Sequence, residues 1–545
     1  MEVINKISLA IKTNFRFSTL NFIFIIAYVN IFQILFGPEN AIVGVIFTIM
    51  MSASMVRDLT AAPVKHFLIQ AFVLVWIALA AFWVTALPAP LSFSINFITI
   101  LAILYAFTYE YSSHIYFPYI LSYLFLVFIS PVNVQQLPKR ILGMLIGAVS
   151  ILLYQWIMGR NRVVETARDV LSEMMDLVSG YILYRLKRTS KHPDLTEIRH
   201  QLCCLSQTVY DRRKKVLCIS DASFSMVGAG RELENLLICI HDLPDPLPVQ
   251  EQKLLDKISS YLDIYKSYLH QEITALPSLE TGCFPEYEKE PALFYKALAN
   301  IHDWLIRMTD PERKTHYKKT ALPLKIRLKF LLDLSPVRVI YAVRTALLLA
   351  SATLLVQSAA LPHGKWLLFT LASLSLPYAD DVPAKIKKRI LATLAGGLIS
   401  VVIYALVPAA AGRTAAMMLS GYLSFYFKDY VQTFACSTIG ALGGAVFMNA
   451  FGFQAVGSIF LIRLGYVLAG AVLAYIFNCL ILPYNCAKAT QHLMKKYNSV
   501  TEFLVKNCCY GVPDTQLYYN LVIQAHMQEE KLTRNTRLTA KAIGN

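Results

Sequence analysis

Charge is what this sequence is short of. Of its 545 residues only 16% are Asp, Glu, Lys or Arg, against 56% hydrophobic, and mean hydropathy is +0.49. A soluble domain carries roughly 25% charged residues, so a wholly soluble globular chain is excluded. The shortage is local. Residues 17–158 and 336–484 hold long apolar runs, while 159–335 and 485–545 have ordinary soluble composition. Acids are scarcer than bases, which leaves a formal net charge of +16. That excess does not point to nucleic acid. No nucleic-acid-binding motif accompanies it, and the basic residues flank apolar segments as the positive-inside rule requires. The expected partner is the lipid bilayer, with no nucleic acid.

Signatures of chemistry are missing too. There is no G-x-x-x-x-G-K-[ST], which argues against an ATP-driven pump, and no H-E-x-x-H or G-x-S-x-G. The chain is expected not to be an enzyme and to carry no cofactor and no metal. Ten cysteines occur without a C-x-x-C pair, and neither Cys203-Cys204 nor Cys508-Cys509 has zinc spacing. Most fall in segments assigned to the cytosol, where thiols stay reduced. No small-residue cleavage site follows Lys6, Lys12 and Arg16, so the first apolar run reads as an uncleaved span.

What is present is a series of apolar segments near 17–36, 41–56, 66–87, 93–109, 115–131 and 140–158, then near 337–359, 365–378, 386–408, 413–428, 430–449 and 460–482. Their lengths and hydropathy predict an all-α polytopic membrane protein with about twelve crossings in two groups of six. Domains are expected at 1–158 and 336–484 (the two membrane repeats), 159–335 (a helical cytoplasmic domain) and 485–545 (C-terminal helices). Helical periodicity covers 163–187, 195–217, 228–241, 248–273, 291–309 and 486–506. Arg57, Lys65, Arg160, Arg162, Arg338, Lys385, Lys387, Lys388, Arg389, Lys488 and Lys495 fall on one side if the N-terminus is inside, with Lys139 and Arg140 the main exception at an outer end, which places both termini in the cytoplasm.

The two groups look like copies. Pro63-x-Lys65 and Pro88 recur as Pro383-x-Lys385 and Pro408, an offset of 320. Arg140 and Gly147-Ala148-Val149 recur as Arg463 and Gly470-Ala471-Val472, an offset of 323. Six spans per copy predicts parallel repeats about an axis along the membrane normal. Gly143-x-x-x-Gly147, Gly440-x-x-x-Gly444 and Gly465-x-x-x-Ala469 predict close helix approach.

The segment LPHGKWLLFTLASLSLPYADDVPAKIKKRI, residues 361–390, sets a short apolar plug between polar collars. It is about half the length of a spanning helix, so it is expected to lie against other helices rather than lipid. An ionised side chain within a membrane is costly and usually functional, which singles out Arg344, Arg463 and Arg140 as binding candidates for a carboxylate. Snorkelling to the headgroups is the competing explanation for each. Trp366 and the aromatic clusters at Tyr105, Phe107, Tyr109 and Tyr111 and at Phe425, Tyr426 and Phe427 could stack an aromatic ring or form an interfacial belt; Glu110, Lys428 and Asp429 adjoin them. His363, Asp380, Asp381 and Lys385 are candidates for coupling or gating.

Residues 338–408 carry a further pattern: Arg344 in an apolar helix, then His363-Gly364-Lys365-Trp366, Thr370, and Arg389-Ile390-Leu391-Ala392-Thr393-Leu394-Ala395-Gly396. This resembles the fusaric acid resistance and aromatic acid exporter (FUSC-like) family, with Ala392 in place of the first glycine of its R-x-x-G-T-x-x-G. The first group keeps the layout without His-Gly-x-Trp. The resemblance implies a bacterial inner-membrane exporter of small organic anions, above all aromatic acids, with proton coupling as one mode. It also implies a distant relation to plant aluminium-activated malate channels, and leaves room for a homo-oligomer or a periplasmic partner. An anion channel and a non-transporting scaffold or sensor are the alternatives.

Overall fold

The computed structural model describes residues 2–54, 63–108, 114–159, 162–189, 195–211, 219–279, 289–310, 312–313, 316, 335–407, 409–427, 429–447, 453–510 and 514–543. Arg57, Tyr109, Glu110, Tyr111, Arg160, Pro408 and Lys428 lie outside them. The described residues are helical, with no strand among them. The chain divides into two compact units. One comprises Met1–Met55, Val64–Leu153 and Leu334–Ala489, the other Val56–Pro63, Tyr154–Asp333 and Thr490–Asn545.

In the first unit the helices are α1 (Glu2–Phe36), α2 (Ala41–Ser54), α3 (Pro63–Ala86), α4 (Ala89–Phe107), α5 (Tyr116–Phe128) and α6 (Leu137–Gly159), whose last turns pass into the second unit. Residues 162–309 form α7 (Arg162–Arg185), α8 (Leu195–Asp211), α9 (Asp221–His241), α10 (Val249–Leu269) and α11 (Lys289–Thr309) of the second unit. The chain then returns to the first unit through α12 (Pro336–Ser358), α13 (Lys365–Leu374), α14 (Val382–Leu406), α15 (Ala410–Leu423), α16 (Tyr430–Phe447) and α17 (Phe453–Tyr475). It ends in α18 (Cys486–Tyr510) and α19 (Thr515–Ile543). Helices thus occupy all twelve apolar segments. Seven of the described helices are long and apolar enough to cross a membrane, and three more apolar helices are shorter, among them Lys365–Leu374. Large apolar side chains such as Ile34, Phe72 and Leu406 are exposed, which suits a lipid-facing surface and not a watery one. The chain is a multi-pass membrane protein.

Packing within the first unit crosses between its two halves: α12 lies against α4, and α1 against α15. The short α13 is buried along most of its length and packs on α17, α12, α14 and α5, with Phe125 and Phe369 meeting edge to face at 5.1 Å. Glycines set these distances. A Cβ on Gly396 would stand 2.5 Å from the Ala435 carbonyl oxygen, and one on Gly397 1.9 Å from the Phe460 ring, so α14 can approach α16 and α17 only because both lack side chains. Gly470 does the same for α17 against Thr370 of α13, and Gly147 for α6 against Phe47 of α2. The expected close approach is not met at Gly444 and Gly465, where no neighbouring helix among the described residues comes within 4 Å of the would-be Cβ.

The second unit is an independently cored helical bundle with α9 at its centre, packed on α7, α8 and α11. Ser220 caps α9 through the Ser223 N–H, and the Gln516 side chain of α19 both accepts from the Ile219 N–H and donates to the Ile219 carbonyl, each at 2.8 Å. Gly228 admits the Trp304 indole against α9, and Phe224 stacks on Tyr519 at 3.8 Å.

Candidate functional site

The three arginines singled out from the sequence are all buried, and they differ in what they hold. Arg140 is a clasp. Its Nε donates to the Asn40 side chain, Nη1 to the Ser130 carbonyl at 3.2 Å, and Nη2 to the Glu39 carbonyl at 2.9 Å and the Ser130 hydroxyl at 3.0 Å. It ties the turn before α2 to the turn before α6. Arg344 does similar work from α12. Its Nη2 donates to the Leu376 carbonyl at 2.5 Å and its Nη1 to the Leu482 carbonyl at 2.9 Å, with the Asn478 and Pro377 carbonyls at 3.4 Å. Carbonyls freed where α13 ends and where α17 widens into a π turn at Ile476–Ile481 are thereby satisfied. The Tyr341 hydroxyl adds a bond to the Ser375 carbonyl at 3.1 Å.

Arg463 has no such acceptors. Its Nε and Nη1 are buried without a hydrogen-bond partner, and its guanidinium lies 5.2 Å from the Trp366 ring centre. Trp366 is also stacked with His363, centres 4.9 Å apart and planes within 12°. A second arginine shares this condition. Arg389 of α14 is buried, its Nε and Nη1 are unpartnered, and its guanidinium lies 4.4 Å from the Phe434 ring centre. Arg389 and Arg463 are within Coulombic range and repel one another. Among the described residues neither forms an ion pair. One helical turn before Arg389, the half-buried Lys385 stands 4.8 Å over Tyr430, itself one turn before Phe434. The Tyr430 hydroxyl approaches Arg389 and Ser373 without completing a hydrogen bond to either. The result is a ladder of three cations, each facing an aromatic ring, held between α13, α14, α16 and α17 by the glycine contacts above.

A guanidinium stays charged at any physiological pH, and burying it without an opposite charge is expensive. Cation–π contact recovers about 2 kcal/mol at a desolvated site, well short of the several kcal/mol per ion that desolvation costs. Two such groups side by side need an anion to balance them, and flat guanidinium faces with flanking rings suit a planar one.

The remaining candidates lie elsewhere. Tyr105 accepts from Arg338 through its carbonyl at 2.6 Å and packs its ring 4.5 Å from that guanidinium, closing the end of α4. The Tyr426 hydroxyl bonds Tyr422 at 2.5 Å, and Tyr422 reaches Thr19 of α1 at 2.8 Å. Asp380 accepts from the Cys486 N–H at 2.6 Å and caps α18. Asp381 is exposed, within Coulombic range of Lys385. His363 sits in the α12–α13 turn with φ 59°, and burial, then Lys365, lowers its pKa from the ordinary imidazole value. Of the ten candidates, the structure gathers Arg463, Trp366, His363 and Lys385 around one site. It adds Arg389, Tyr430 and Phe434, which the sequence reading took as a topology signal or passed over. The signal for Arg389 was its i+4 spacing from Lys385, matched by Tyr430 and Phe434 on α16.

Residues 349–477 match the family model described as fusaric acid resistance protein-like. This part of the chain is similar to fusaric acid resistance proteins. It covers about a quarter of the 545 residues and contains α13, α14, α15, α16 and α17 whole, with every residue of the cation ladder. No curated protein and no solved structure matches the chain. Similarity to this family over the matched residues points to membrane transport or resistance in general.

Proposed function

We propose that the protein is a secondary transporter that exports small organic anions, aromatic carboxylates foremost, from a bacterial cytoplasm. The observation that carries this is the pair Arg389 and Arg463, buried in apolar helices with free donors, no acid partner among the described residues, and aromatic rings on their faces. A carboxylate would take the free guanidinium donors while its ring lies among Trp366, Phe434 and Tyr430. Lys385 at the start of α14 would receive the anion first, from the side that the positive-inside rule makes cytoplasmic. His363 at the other end would couple exit to protons. Burial, then Lys365, lowers its pKa, so a more acidic exterior would favour its taking up a proton.

On this proposal the twelve apolar helices form two parallel repeats with both termini in the cytoplasm. The contact pairs support the repeat. Gly147 meets Phe47 and Gly470 meets Thr370, both partners separated by the same 323 residues, and Asn40 at the Arg140 clasp corresponds by that offset to His363 beside Arg463.

The test is uptake of a panel of organic acids into inside-out vesicles, with and without a pH gradient. Wild type should accumulate aromatic carboxylates in a saturable way, faster with the interior acid. Arg389→Gln and Arg463→Gln should each abolish uptake at normal membrane abundance. Unchanged uptake in both variants would refute the site. Currents that follow voltage linearly and ignore the pH gradient would replace the carrier with a channel.

A further inference from the structure

The second unit holds a cavity of about 550 Å³ where α7 ends, lined by Tyr181, Tyr184, Arg185, Lys187, Arg188 and Asp245 among others. Small-molecule sites run from about 300 to 1,000 Å³. Its walls are tied in place. One Arg185 Nη donates to the Leu243 carbonyl at 2.6 Å and the Pro244 carbonyl at 2.8 Å. Arg188 grips the Asp256 carboxylate through both Nη atoms at 2.5 and 2.9 Å, and the Tyr181 hydroxyl pairs with His241 Nδ1 at 2.8 Å. The Tyr181 and Tyr184 ring centres are 6.1 Å apart, their planes inclined by 29°.

Two donors remain unused. Arg185 Nε is buried with no partner. Lys187 forms no ion pair among the described residues and sits at φ 57°, a left-handed conformation uncommon for a non-glycine residue and often found at functional positions. Three cations face the cavity against one acid, Asp245. Asp256 neutralises Arg188, and the balance remains positive. We propose that this cavity binds a small organic anion bearing an aromatic ring, the ring against Tyr181 and Tyr184 and the anionic group on Lys187 and Arg185 Nε. The site shares no residue with the cation ladder, so it stands or falls independently of the transport proposal.

Calorimetry on the full-length protein in detergent tests it, in an Arg389→Gln/Arg463→Gln background that removes the membrane site. The probes are salicylate, adenosine monophosphate and inorganic phosphate. At least one ring-bearing probe should bind saturably, with one equivalent per chain. Lys187→Gln and Tyr184→Ala should each weaken it by about tenfold, the equivalent of roughly 1.4 kcal/mol, while Lys187→Arg keeps it. Lys187 is exposed, so its variants should melt with wild type. A salicylate response identifies a carboxylate ligand and an adenosine monophosphate response a phosphate one. Absence of binding by both ring-bearing probes, or binding indifferent to Lys187→Gln and Tyr184→Ala, overturns the site. Phosphate binding as tightly as either overturns the ring's part in it.

Discussion

Buried arginines in one membrane unit fall into two kinds, and stability separates them. Arg140 and Arg344 each donate to several backbone carbonyls from a buried guanidinium. Arg140→Met or Arg344→Met should therefore cost about 2–5 kcal/mol, since several buried acceptors lose a charged partner, and should lower the melting temperature in detergent. Arg389→Gln and Arg463→Gln remove buried charges that no described acid balances, so their melting temperatures should match or exceed wild type while transport is lost. A drop for Arg463→Gln as large as that for Arg140→Met would make Arg463 a structural residue. The sequence could show that these arginines lie in apolar helices. It could not show which had acceptors, because the carbonyls that Arg344 serves come from residues 376 and 482, far from it along the chain. One more residue sets a pH limit on the second unit. His526 is mostly enclosed, with Nδ1 3.2 Å from the Ser206 hydroxyl, and burial, then Arg231, pushes its pKa down to about 4. An unfolded histidine titrates near 6.5. The folded state with its lower pKa is favoured fully above pH 6.5, and that contribution is lost as pH falls from there towards 4. Melts of wild type should drop across that window, and His526→Gln should flatten the dependence; parallel curves would show that another group governs acid loss.

At the level of elements, glycine decides which helices touch. Gly396→Ala places a methyl 2.5 Å from the Ala435 carbonyl oxygen, and Gly147→Ala places one against the Phe47 ring. Overpacking of this kind costs about 1–3 kcal/mol. Gly396→Ala should do more harm, because backbone cannot rotate away as a ring can, and the α14–α16 separation it forces would also part Arg389 from Phe434. Gly444→Ala and Gly465→Ala meet no described atom and should melt with wild type or slightly above it, as alanine favours helix. A series of four melts with transport rates checks this; equal losses at all four would mean that the glycines act through helix propensity alone. The helices themselves were legible, since apolar length and Pro or Gly punctuation mark their limits. The early end of α13 was signalled by Pro377, which disfavours helix at the residue before it. The tight contacts were only half legible. A small-x-x-x-small spacing marks a face that can pack closely but not whether a partner stands there: Ala392-x-x-x-Gly396-x-x-x-Ser400 has it too, and only the structure shows that Gly396 and its neighbour Gly397 are the pair that closes the site.

At the scale of the whole molecule, the proposed repeat sets corresponding positions side by side that differ in charge. Subtracting 320 from Lys385 gives Lys65, but Arg389 then corresponds to Ile69, which is exposed among apolar neighbours. Subtracting 323 from Arg463 gives Arg140, whose donors are taken up by the protein. A duplicated bundle with equivalent chemistry in both halves would offer two anion sites. This one offers a cation ladder in the second half and a satisfied clasp in the first. The membrane unit should accordingly bind one anion per chain. Equilibrium binding of labelled benzoate to the Lys187→Gln protein, in which the cavity of the second unit is disabled, should saturate at one equivalent and vanish when Arg463→Gln is added. Two equivalents, or one that survives loss of Arg463, would place the anion site in the first half and assign the unpaired charges of α14 and α17 another role.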